Sequence, residues 1–116
     1  MLKSYVRLEI RPDLEEALAA GLLAVQYAPD NPDSFFTLGL IHEKRGKFLE
    51  AEAALREALR VNNAYQDVYF ALGTLYADHL HDQPKAVEAF RRYLELGGTH
   101  ARARDTVSQA DRPPVP

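Results

Sequence analysis

The sequence contains no cysteine. That excludes disulfides, thiol nucleophiles and thiolate metal sites. Long apolar runs are also missing. The longest, Ala17 to Val25, falls far short of the roughly 20 residues that span a bilayer. The first residues, Met1 to Arg7, lack the basic stretch, apolar core and small-residue cleavage site of a secretory signal. These absences favour the cytoplasm without fixing the compartment. There is no basic block either. Fourteen Lys and Arg face seventeen Asp and Glu, for a net charge of -3, which argues against nucleic acid as the main partner. No Ser/His/Asp set, glycine-rich phosphate loop or paired carboxylates in a pocket pattern are present, so neither an enzyme nor a cofactor binder is expected.

What the sequence does have is periodicity. Laid on itself at an offset of 34, the chain matches Asp33 to Asp67, Phe35 to Tyr69, Phe36 to Phe70, Leu38 to Leu72 and Gly39 to Gly73. Past the next loop the offset becomes 35: Ala51 falls on Ala86, Leu55 on Phe90, Arg56 on Arg91 and Leu59 on Leu94. The added residue lies in the polar stretch His79 to Gln83. An earlier copy pairs Leu14 with Phe48, Ala17 with Ala51 and Ala24 with Ala58.

Each copy predicts two helices. Asn31-Pro32-Asp33 supplies a cap, a proline for the first turn and an early acid. Phe35, Leu38, Ile41 and His42 then share one helical face. Gly46 ends that helix through a left-handed conformation. Phe48, Ala51, Ala54, Leu55, Ala58 and Leu59 line the next. A third copy predicts helices from about Tyr65 to His79 and Pro84 to Leu96, stopped by Gly97-Gly98. Thr99 is a candidate cap for a last, mostly polar helix to Ala110, suited to the wet end of a stack. Val6, Leu8 and Ile10 alternate as in a strand, the one competing local pattern.

This pattern resembles the tetratricopeptide repeat. The second copy carries the resemblance with Phe35, Leu38, Gly39, Gly46, Phe48, Ala51, Leu55 and Ala58. The third carries it with Tyr69, Leu72, Gly73, Tyr76, Ala86 and Phe90, and the first with Pro12, Asp13, Leu14, Ala17, Ala24 and Pro29. Small residues stand where helices cross closely, and large ones fill the gaps. The departures are His42 in an aromatic position, Asn63 and Gly98 where proline is common, Tyr93 for alanine, and Ser4-Tyr5 where Leu-Gly belongs. The resemblance implies an all-α solenoid of helical hairpins forming one domain over residues 1–110. Its repeats run about 1–31 (incomplete), 32–65 and 66–98, followed by a capping helix at about 99–110 and a disordered tail at 111–116.

The resemblance further implies a concave face lined by the first helix of each repeat. That places Asp33, Phe36, Leu40, Glu43 and Lys44 in the groove from the second copy, and Asp67, Phe70, Thr74, Ala77 and Asp78 from the third. The expected function is a protein-binding adaptor whose partner brings apolar anchors with basic flanks. The competing description of Phe36 and Phe70 is as core. Self-assembly is the alternative function, with Leu2, Tyr5, Val6 and Leu8 seeking a second copy in a homodimer. Family members that clamp chaperone carboxylate tails use Lys and Asn on this face. Here Phe36, Leu40, Ala71 and Asp67 hold those positions, so an acidic tail is disfavoured. Asp78, His79, His81 and Asp82 include metal-ligand residue types, but their spacing fits no closed site, and no metal is expected.

Overall fold

The structure is a computed structural model and describes residues 12–113. Six helices follow in order: α1 (Pro12–Tyr27), α2 (Pro32–Lys44), α3 (Phe48–Val61), α4 (Gln66–Asp78), α5 (Gln83–Glu95) and α6 (Ala101–Ala110). The strand-like alternation at Val6 to Ile10 lies outside the described residues, as do the self-association residues Leu2, Tyr5, Val6 and Leu8.

The helix ends follow local chemistry. Asn31 accepts a hydrogen bond from the Asp33 amide at 2.9 Å, and Pro32 occupies the first turn of α2. Gly46, at φ 78°, turns the chain into α3. Asp82 caps α5 by accepting from the Lys85 amide. Ahead of it, His81 takes a left-handed φ of 52° in the one-residue insertion. Gly97, at φ 97°, ends α5. The cap of α6 is His100 rather than Thr99: its side chain accepts from the Arg102 amide at 3.1 Å. A ring nitrogen at that position reaches the second helical amide, so the threonine hydroxyl one residue earlier is not needed.

The elements stack as antiparallel neighbours. α2 packs on α3 and α4 on α5, with α1 laid on α2, α3 against α4 and α6 on α5. The main core joins Ala51, Leu55 and Ala58 to Val68, Leu72 and Leu75. Two close crossings set the hairpins. A Cβ on Gly39 would stand 2.8 Å from Leu55, and one on Gly73 would stand 2.4 Å from Phe90. Both distances are shorter than packed carbons allow, so only glycine admits these crossings. Opposite them Ala51 and Ala86 are fully buried.

A smaller core, Phe90, Tyr93 and Ala103, holds α6. Two sequence departures explain each other here. The Tyr93 ring lies where a Gly98 side chain would stand, 2.3 Å from its Cβ position. The Tyr93 hydroxyl then accepts from the Thr99 and His100 amides, both at 3.2 Å. Tyrosine for alanine and glycine for proline thus make one device that turns α5 into α6.

Candidate partner-binding groove

α2 and α4 run side by side on one face of the stack. Their equivalent residues face a shallow cavity of about 420 Å³ lined by Phe36, Leu40, Glu43, Asp67, Phe70, Ala71, Thr74, Tyr93 and His100. Six of the ten residues expected on this face therefore meet: Phe36, Leu40, Glu43, Asp67, Phe70 and Thr74. Asp33 lines a neighbouring cleft between α1 and α2 with Thr37 and Ile41. Lys44, Ala77 and Asp78 are not among the lining residues of either cavity.

The two phenylalanines differ in surroundings. Phe36 meets Tyr65, with ring centroids 5.2 Å apart. Phe70 sits among three rings: Phe90 at 5.5 Å, Tyr93 at 5.2 Å and His100 at 4.5 Å. Each is partly buried and packs against a core cluster, Phe36 on the main one and Phe70 on the smaller. Both therefore serve the fold and still present surface to the cavity.

Its polar lining is the carboxylates of Glu43 and Asp67, the hydroxyls of Thr74 and Tyr93 and the imidazole of His100. Glu43 stands 3.9 Å from His79 Nε2. The Tyr65 hydroxyl donates to Asp33. Burial, with that bond and the nearby carboxylates of Asp33 and Asp67, pushes the phenol up to about 12. Tyr65 therefore stays neutral and works as a hydrogen-bond donor. Asp78 is engaged elsewhere, in a two-pronged pair with Arg102 of α6. Those hydrogen bonds hold its carboxyl below the ordinary value of 3.8. Its charge is thereby matched by a guanidinium.

Tyr65, Tyr93 and His100 reach this face from outside the first helices of the repeats, so helical register alone does not find them. His79 and Asp82 of the insertion have structural contacts. His79 stacks on Phe48 at 4.0 Å, and Asp82 caps α5. Among the described residues no group of three His, Asp or Glu side chains is placed to hold a metal. No described helix is long and apolar enough to cross a membrane. His42 occupies its aromatic slot half-buried. Burial and the neighbouring Arg45 charge lower its pKa, against a smaller opposing effect of Glu50.

Residues 32–65 match the family model of the tetratricopeptide repeat. The fold is that of a tetratricopeptide-type helical-hairpin solenoid. Solved structures agree with this fold. The first tetratricopeptide domain of Spaghetti (RPAP3), bound to the HSP90 peptide SRMEEVD, superposes with a TM-score of 0.76 at 24% identity, covering 85% of this chain and 80% of that one. The Sgt2 tetratricopeptide domain from Aspergillus fumigatus gives 0.72 at 22% identity, covering 91% and 78%. MamA gives 0.75 at 24%, covering 84% of this solenoid, which spans only 52% of the MamA chain. No curated protein matches the chain in sequence. In this tetratricopeptide frame α2 and α4 are the first helices of their repeats, α3 and α5 the second, and α6 stands where a further first helix would begin.

Proposed function

We propose that the chain is a protein-binding adaptor module rather than an enzyme. Its groove takes a partner peptide that brings an apolar anchor with Lys or Arg beside it. The observation that carries this reading is the placement of Phe36 and Leu40 between two carboxylates, Glu43 and Asp67, in one open cavity. Asp67 has no hydrogen-bond or ion-pair partner among the described residues, so it is available to a basic flank. The solved RPAP3 domain holds a peptide, SRMEEVD, that contains three acids. The same ligand would meet Glu43 and Asp67 here, and like charges facing each other cost affinity.

The test uses peptides with a central Leu or Phe flanked by Lys, compared with the same peptides flanked by Glu. The Lys series should bind, and Phe36→Ala should weaken it by about 2–4 kcal/mol, as central aromatic anchors do. Asp67→Asn should flatten its salt dependence. A Phe36→Ala variant that stays folded and binds normally removes this groove as the site.

Self-association is a second reading, favoured by one observation. On α1, Leu22, Leu23 and Tyr27 are 48%, 51% and 82% exposed. Sedimentation over a range of concentrations decides it, since a monomer throughout excludes a dimer built on that face.

A further inference from the structure

α4 carries a second functional face. Asp67, Phe70 and Thr74 look into the groove. At about 3.6 residues per turn, Tyr69, Leu72 and Tyr76 point the opposite way. There they meet Leu59 of α3 and Ala89 of α5 in a crevice of about 320 Å³. Three cations line it, Arg56, Lys85 and Arg92, against one acid, Glu88.

The phenols are fixed. The Tyr76 hydroxyl donates to Glu52 at 2.6 Å and accepts from Arg56 at 2.8 Å. The Tyr69 hydroxyl donates to the Asn63 carbonyl at 2.8 Å. The Lys85 ammonium lies 5.7 Å from the Tyr76 ring centroid, and the Arg92 guanidinium lies 5.8 Å from that of Tyr69. Each cation also has an acid outside the lining: Arg56 with Glu52 at 3.2 Å, Lys85 with Asp82 at 4.0 Å, Arg92 with Glu95 at 3.3 Å. Such exposed pairs are weak. They leave Arg56 Nη1 and part of the Lys85 ammonium to meet an incoming carboxylate, with the Arg92 guanidinium held beside them by Glu95 and the Tyr69 hydroxyl.

Comparison of the repeats shows that packing does not demand this arrangement. One copy earlier, Lys85 and Arg92 correspond to Glu50 and Glu57, while Tyr69 and Tyr76 correspond to Phe35 and His42. Both hairpins close by the same small-residue crossing at Gly39 and Gly73. Two surface positions have opposite charge in the two copies, and a phenyl and an imidazole of the second copy are replaced by the two phenols that line the crevice in the third.

We propose that this crevice is a second partner site, on the far side of α4 from the groove, for an acidic peptide segment with an apolar side chain next to Asp or Glu. The apolar side chain settles between the two tyrosines on Leu72 and Ala89. The carboxylates meet Arg56, Lys85 and Arg92. The chemistry is the reverse of that proposed for the groove, and the two sites stand or fall separately.

The experiment titrates ¹⁵N-labelled protein with short capped peptides having Leu, Phe or Tyr between glutamates, and with their lysine counterparts. Amide shifts report where each peptide sits. The acidic series is expected to move Tyr69, Leu72, Tyr76 and Ala89, and to leave Phe36 and Leu40 in place. Lys85→Glu with Arg92→Glu alters only exposed side chains and should weaken the acidic series by about tenfold or more, while Phe36→Ala leaves it unchanged. The proposal is overturned if no acidic peptide shifts these amides, if the shifts map to the groove, or if the double charge reversal binds equally well. Acetate producing the same shifts with the same affinity also overturns it, because the apolar anchor then contributes nothing.

Discussion

The second and third repeats share a plan and differ in how they are closed. Phe36 and Phe70 are equivalent in sequence, yet one touches a single aromatic ring and the other three. Two of the three rings, Phe90 and Tyr93, lie on the third repeat's own α5, where the second repeat has Leu55 and Ala58. α6 follows and adds His100 against Phe70 and Arg102, which pairs with Asp78. The open side of the groove is therefore the α2 side. A motif position sets which way a side chain points, and what comes next in the chain sets how much of it a ligand can reach.

The glycine crossings give the harshest way to break this comparison. Gly73→Leu should destabilise by about 3 kcal/mol or more, since Phe90 is fully buried and cannot retreat. Gly39→Leu meets Leu55 at a slightly longer distance and should cost less, about 1–3 kcal/mol. Urea midpoints rank the two. Equal midpoints would mean that the two crossings yield alike, and that the third repeat is no more tightly closed.

Smaller effects should come from the paired phenylalanines. Phe70→Ala opens a hole among three rings and should cost about 3 kcal/mol. Phe36→Ala loses one ring contact and should cost about half of that. Thermal unfolding of the two variants checks the order. The reverse order would make Phe36 the core residue and Phe70 the free anchor.

The mildest perturbation is acid. Asp78 and Asp111 are both held below the ordinary carboxylate value by hydrogen bonds from Arg102 and Arg91, the latter pair spanning 2.8 and 3.0 Å. A lowered folded-state pKa means that the stabilisation is complete above the unfolded value of 3.8 and fades as pH falls through the folded one. Hydrogen exchange in α6 should therefore speed up on acidification relative to α3, once the intrinsic pH dependence is removed. Arg102→Gln should abolish most of that difference.

Much of the fold was legible because it is written in local signals. Asn31-Pro32, Gly46 and Gly97 mark ends that the structure keeps to within a residue or two. Gly39, Gly73, Ala51 and Ala86 announce close crossings through their size. The groove was only partly legible. The resemblance put Phe36, Leu40 and Phe70 on one face, and in the structure all three line one cavity. The Asp78–Arg102 pair and the approach of His100 join residues far apart in sequence through a helix whose docking depends on tertiary contacts. A signal existed all the same. Tyr93 and Gly98 depart from the repeat together, five residues apart, and the ring of one occupies the space left by the other. The crevice between α3 and α5 was hidden for another reason, since its cations come from two helices whose relative position no spacing rule gives.

The nearest-neighbour stacking also governs time. Each helix packs mainly on the helices before and after it, through loops of a few residues. Chain segments that must find each other are already close, so little loop-closure entropy is spent before contacts form. Chains of this topology fold in microseconds to milliseconds, well ahead of sheet proteins of the same length. The search is local enough to begin at either hairpin, and a hairpin that has emerged from the ribosome has most of its partners at hand before the last helix is made.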